Sequence, residues 1–185
     1  MGVLDVITKP IIPPDEKIIW ENRKEDFLTN LIAREAGWVI DQGGKTMYGI
    51  SERGHKEVDI ENLSIKDAKK IYRDEYMHRG EKRFGKTSEA IKFMDMEVNM
   101  GYENAMRVTQ KALNSLLLVE DQIVADSAYG KITQKAIDKV QDKYRSQDII
   151  NAMKAAQLSY YQSLPDFHKT GGWKTRAKYD PIKED

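Results

Sequence analysis

The sequence predicts an α+β protein dominated by helix, with one small β-hairpin close to its N-terminal end. Three observations carry this. Apolar residues recur at spacings of three and four through most of the 185 residues. Only Trp38 to Ser51 reads as two short strands around a turn, with "WVI" and "TMYGI" flanking "DQGGK". Strands therefore come once and early and helices follow, which is the order of an α+β chain rather than an alternating α/β one.

Taken in order, residues 1–22 read as an arm, because Pro10, Pro13 and Pro14 discourage regular structure. Ile11, Ile12, Ile18, Ile19 and Trp20 still give it apolar contacts to make. A helix is expected from Glu25 to about Ala36, where Phe27, Leu28, Leu31, Ile32 and Glu35 share a face and Gly37 supplies a stop. Glu35 then stands in the last turn on the apolar side, where the carbonyl end of a helix disfavours a negative charge. In the hairpin, Gly43-Gly44 permits a tight turn with positive φ. Arg53 to Leu63 is polar and loop-like.

Ser64 reads as an N-cap with Asp67 three residues on, and Ile65, Ala68, Ile71, Tyr72 and Tyr76 give the core face of the helix that follows. Gly80 and Gly85 interrupt the pattern. Further helices are expected from near Ser88 to near Gly101, through "YENAMRVTQKALNSLL", through "ITQKAIDKVQDKY" and through "QDIINAMKAAQLSYYQSL", which Pro165 ends. "FHKTGGWKTR" and a charged tail close the chain. The basic run "KTGGWKTRAK" reads either as a contact for an anionic wall polymer or membrane surface, or as a solvated segment. No internal repeat or low-complexity segment is visible.

Composition excludes several function classes. Lys+Arg and Asp+Glu balance at 30 each, so no bulk charge drives the chain toward nucleic acid or an anionic membrane. The absence of cysteine removes disulfides, thiolate zinc sites and a cysteine nucleophile. His55, His78 and His168 lack metal-ligand spacing, so no metal site is expected. No stretch approaches a membrane span, so stable membrane insertion is not expected. The N-terminal segment carries Asp5, Lys9, Asp15 and Glu16 and lacks the continuous apolar core of a signal peptide. The two "GKT" triplets, at Gly44 and Gly85, lack the upstream glycine of a phosphate-binding loop.

The chemistry candidate is the pair Glu35 and Asp41. Glycoside hydrolysis needs one carboxyl to supply a proton to the leaving group, and usually a second acid to activate water, act as nucleophile or stabilise positive charge. A helix-end glutamate beside apolar residues suits the first role, and an acid on an adjacent hairpin suits the second. From spacing alone the commoner reading is a surface helix residue and a turn residue, since acids are frequent at both places. Thr46 either holds a water or carboxylate near the reacting carbon or simply favours a strand. Tyr48 is a sugar platform, a hydrogen-bond partner of Glu35, or a half-buried hairpin aromatic. Asn99 lies inside an apolar helical stretch, where its amide either reaches a glycan group or caps the helix. Met100 and Tyr102 either wall a cleft or pack in the core.

A family resemblance weighs these readings. Arg34-Glu35-Ala36-Gly37-Trp38, then Asp41, then Gly43-Gly44-Lys45-Thr46-Met47-Tyr48-Gly49-Ile50-Ser51 resembles the signature of the glycoside hydrolase family 108 lysozymes. "MDMEVNMGYENAMRVTQKALN", "ADSAYGKIT" and "QLSYYQSLPDFHKTGGWKTR" resemble later segments of that family, so the likeness runs from about residue 24 to 178. Three departures stand out. Ala36 replaces a usual glycine, the loop before Gly43 is short and keeps only Asp41 of several acids, and Lys45 occupies a position that is often acidic.

The resemblance implies a lysozyme-like fold, with a catalytic lobe over 23–95, a helical lobe with a peptidoglycan-binding region over 96–180 and a tail over 181–185. It implies an N-acetylmuramidase with Glu35 as general acid, Asp41 as the second acid with Glu52 in reserve, and Thr46 in support. Tyr48, Asn99, Met100 and Tyr102 would contact the glycan strands of peptidoglycan. No metal or organic cofactor is implied. The expected setting is a monomeric phage endolysin or virion-associated lysin, made in a host cytoplasm and reaching the wall through a separate pore or in company with virion proteins. The competing readings are a non-catalytic wall-binding or virion module and a lytic transglycosylase.

Overall fold

The computed structural model of the chain describes residues 14–35, 37–41, 44–85, 87–165 and 171–181. Helix α1 spans Pro14–Arg34. It begins well before Glu25, so the second half of the expected arm is helical, while residues 1–13 lie outside the described residues. Proline fits the first turn of a helix, where its missing N–H has no intrahelical partner to lose. Trp20 continues the apolar stripe of Phe27, Leu28 and Leu31, and all four are buried.

The sheet follows at once. Strands β1 (Trp38–Asp41), β2 (Gly44–Met47) and β3 (Ile50–Ser51) pair antiparallel in that order. Trp38 faces Met47, Val39 faces Thr46 and Asp41 faces Gly44, while Thr46 also faces Ser51. The expected hairpin is present, and "TMYGI" supplies a second one. Tyr48 and Gly49 carry φ of 53° and 74°, the left-handed pair that a tight two-residue β-turn demands, and so split the run into β2 and β3.

A single helical rod then runs through α2 (Ile65–Ile71), a π-helical turn (Tyr72–Met77) and α3 (His78–Phe84). Ser64 caps it, accepting the Asp67 N–H at 3.1 Å. Gly80 does not interrupt the rod. A Cβ there would lie 2.8 Å from the Ala90 carbonyl oxygen, so the glycine lets α3 approach the next helix closely.

That helix, α4 (Ser88–Met100), is the centre of the molecule and packs against α1, α3, α5 and α7. Ala90, Ile91, Phe93, Met94 and Met96 are inaccessible, and so are the charged Lys92 and Asp95. It runs unbroken through the expected lobe boundary at residue 95. One apolar core reaches from Trp20 on α1 to Met153 on α7.

Around it stand α5 (Tyr102–Leu116), α6 (Lys131–Lys143) and α7 (Ser146–Gln162). The last element, α8 (Gly171–Lys178), packs on α7 through a small cluster in which Tyr161 and Ala177 are buried and Trp173 joins them. The run "GGWKTRAK" is therefore a docked helix rather than a solvated segment. Among the described residues, no helix is long and apolar enough to cross a membrane.

Candidate active site

Glu35 is the first residue beyond α1, and its N–H still donates to the Leu31 carbonyl at 2.9 Å. The helix thus fixes its backbone while its side chain is free to leave the helix surface. That side chain is 23% exposed, so it meets both solvent and protein. The Tyr48-Gly49 turn forms one wall. A Cβ on Gly49 would stand 3.3 Å from both Cβ and Cγ of Glu35 and 2.6 Å from the Tyr72 hydroxyl oxygen. Only a glycine, with its φ of 74°, allows this approach.

Tyr72 comes from the π-helical turn and donates its hydroxyl to the Tyr48 carbonyl at 2.9 Å. Burial, reinforced by the negative charge of Glu35, pushes its pKa up, which keeps the hydroxyl a neutral donor. The third wall is remote in sequence. Arg176 on α8 donates from Nη2 to Oε1 of Glu35 at 2.7 Å, across 141 residues.

Behind this wall lies a buried charge group. Asp95 is fully buried and stands 3.7 Å from Nη2 of Arg34 and 3.5 Å from Nζ of Lys92. Burial pushes its carboxyl up from the ordinary range, against the pull of Lys92, Arg34 and Arg176. The same burial pushes the Lys92 ammonium down. Asn99 turns its amide back along α4, donating Nδ2 to the Asp95 carbonyl at 2.6 Å, while its Oδ1 is buried without a partner among the described residues. It is thus a residue of the helix body and not its cap.

The other sequence candidates fall as follows. Thr46 sits half-buried in β2, opposite Val39 and Ser51. Asp41 ends β1, while its side chain, together with Gln42 and Gly43, lies outside the described residues. Glu52 folds its carboxylate over Gly44, accepting the Lys45 N–H at 3.4 Å. Lys45 turns away to pair with Glu61. The Tyr48 ring and Met100 both pack against the core. Tyr102 accepts from Arg83 at 3.0 Å and meets Phe93 edge-on at 6.4 Å.

Sequence reasoning found Glu35 but placed the turn at Gly43-Gly44 rather than at Tyr48-Gly49, and it missed Tyr72 and Arg176 beside the acid and the buried Asp95. Asp95 and Arg176 stood inside stretches already singled out, "MDMEVNMG" and "GGWKTR". Tyr72 carried only the signal of a core-facing aromatic.

A helix-end carboxyl is walled by a glycine turn, on a small sheet set against a helical body, an arrangement that agrees with the lysozyme-like fold the resemblance implies. Residues 28–101 match the family model Glycosyl hydrolase 108, a span that includes Glu35, the sheet, Tyr72 and Asp95. The chain carries a glycosyl hydrolase 108 domain and is a glycoside hydrolase. No curated protein matches the chain. Among solved structures, that of Brucella abortus SagA is similar in fold, with a TM-score of 0.64 and 22% identity over 85% of this chain and 90% of that one.

Proposed function

We propose that the protein hydrolyses the β-1,4 bond between N-acetylmuramic acid and N-acetylglucosamine in peptidoglycan, with Glu35 as the general acid. The observation that carries this reading is the setting of Glu35 within the matched family segment. It is held at a helix end, walled by the Gly49 turn and still partly open to solvent. Glu35 would give its proton to the glycosidic oxygen as the bond from the sugar C1 breaks, leaving positive charge shared between C1 and the ring oxygen. Asp41, on the adjoining strand, is the proposed second acid that stabilises this charge or directs water to it. The engagement of Glu52 with the Lys45 backbone favours Asp41 over Glu52 in that role. Thr46, in the central strand of the sheet, would orient the water or the acid. Tyr48, Asn99 and Met100 keep their proposed part in glycan binding, whereas Tyr102 is engaged by Arg83 and Phe93.

The test is release of reducing ends from purified peptidoglycan by the wild type and by Glu35→Gln, with mass spectrometry of the products. The wild type should release reducing sugars. The variant should lose at least about 100-fold of the rate, the scale of a general-acid contribution, while melting within a few degrees of the parent. Undiminished activity in the variant would remove Glu35 from the chemistry. Anhydro-sugar ends would assign a lytic transglycosylase, and binding without any bond cleavage would assign a wall-binding module.

A further inference from the structure

We infer that Arg176, carried on the C-terminal helix α8, is the counter-ion and positioning residue of the Glu35 carboxylate. It fixes the orientation of that side chain and faces the negative charge left when the proton is given away. This rests on the reading of Glu35 as proton donor.

Arg176 lies beyond the segment that matches the family model, so the domain as matched is incomplete around its own acid. The contact is not a chance meeting of two flexible surface chains, which would contribute only about 0–1 kcal/mol. Both partners are partly buried, with side chains 33% and 23% exposed, and the backbone of each is held by packing. Glu35 is held by the end of α1. Arg176 is held by three other anchors in its segment. Trp173 stacks on Tyr161 with ring centroids 5.5 Å apart and planes 14° from parallel. Tyr179 meets Phe27 at 5.5 Å and lies 5.4 Å from the guanidinium of Arg34. Asp180 accepts from Lys154 at 3.0 Å and from Gln147 at 2.9 Å.

Because these contacts hold the segment from both sides, the guanidinium is not needed to dock α8. It is free to serve the acid it touches. The groups facing Glu35 are Arg176 from α8, the neutral Tyr72 hydroxyl from the π-helical turn and the backbone of the Gly49 turn. Asp95 from α4 feels Arg176 from the other side, together with Arg34. Arg176 is thus the one cation among the described residues paired with Glu35, and a general acid works only while protonated.

The experiment compares kcat and KM of the wild type, Arg176→Met and Arg176→Lys on soluble peptidoglycan fragments, with melting temperatures for each. Arg176→Lys keeps the charge and should keep most of the wild-type kcat. In Arg176→Met, kcat should fall about tenfold with KM changed less than twofold, since orientation and not substrate contact is lost. A rate loss in Arg176→Met that follows its melting temperature and is not recovered in Arg176→Lys would make Arg176 a structural anchor only and overturn the inference. A raised KM with unchanged kcat would overturn it too, by making Arg176 a substrate contact. Glu35→Gln separates the two claims. If that variant stays active, the proton-donor reading fails. If it is dead while Arg176→Met keeps the wild-type kcat, only the counter-ion inference fails.

Discussion

Gly49 shows how much of this site rests on one small residue. Its φ of 74° and the 2.6 Å that would separate an added Cβ from the Tyr72 hydroxyl exclude any side chain without movement. The obstacle is partly backbone and partly that hydroxyl, and the two can be separated. Gly49→Ala should destabilise the protein by about 2–3 kcal/mol in chemical denaturation, combining left-handed strain with loss of the Tyr72 to Tyr48 hydrogen bond. In a Tyr72→Phe background, where the obstructing oxygen is gone, the same change should be milder by about 1 kcal/mol. Equal losses in both backgrounds would mean that Tyr72 is not what Gly49 makes room for. The sequence showed this glycine only as part of a family signature. It placed the tight turn at Gly43-Gly44, because a glycine pair is the stronger turn signal and nothing local says that Tyr48 will also adopt positive φ. Glu35 itself was legible, since helical spacing put it at a helix end whatever the rest of the chain does.

Elements were legible wherever the apolar repeat and the punctuation agreed. Helix α4 starts at Ser88 and stops before Gly101 as the pattern requires, and α5 buries Ala105, Val108, Ala112 and Leu113 along one stripe. The cap at Ser64 is another such case. Its oxygen accepts the Asp67 N–H at 3.1 Å and its hydroxyl donates to the Asp67 carboxylate at 2.6 Å. Ser64→Ala should therefore lower stability by about 1 kcal/mol in urea unfolding, with little effect on hydrolysis, because the cap stands about two helical turns before Tyr72. No measurable change in stability would show that the cap is idle. Elements were misread where one residue type has two uses. Gly80 looked like a break but serves close packing of α3 on α4. Pro14 looked like part of an irregular arm but begins a helix. The glycine pair and basic residues of "GGWKTRAK" allowed a solvated segment as one reading, because among the described residues the small apolar cluster takes only Trp173 and Ala177 from α8.

At the scale of the whole molecule, the C-terminal segment acts as a strap from α7 across to α1. Asp180 is its far anchor, with a side chain only 5% exposed. Asp180→Ala leaves Lys154 and Gln147 without that acceptor and should lower stability by about 2 kcal/mol, measured by thermal and urea unfolding. If the strap positions Arg176, hydrolysis should fall in the same variant. Unchanged stability and rate would show that the segment is held without this anchor. The sequence by itself determined the helical class, the place of the small sheet, the absence of cysteine chemistry and the position of Glu35, because each depends on local spacing or on composition. Only the tertiary structure decided what surrounds that acid. The Gly49 wall requires the sheet to fold back on the end of α1, and the Arg176 pair spans 141 residues. Such contacts follow from how α7, α8 and α4 pack around a shared core, and the periodicity of a single helix carries no record of which helix will lie beside it.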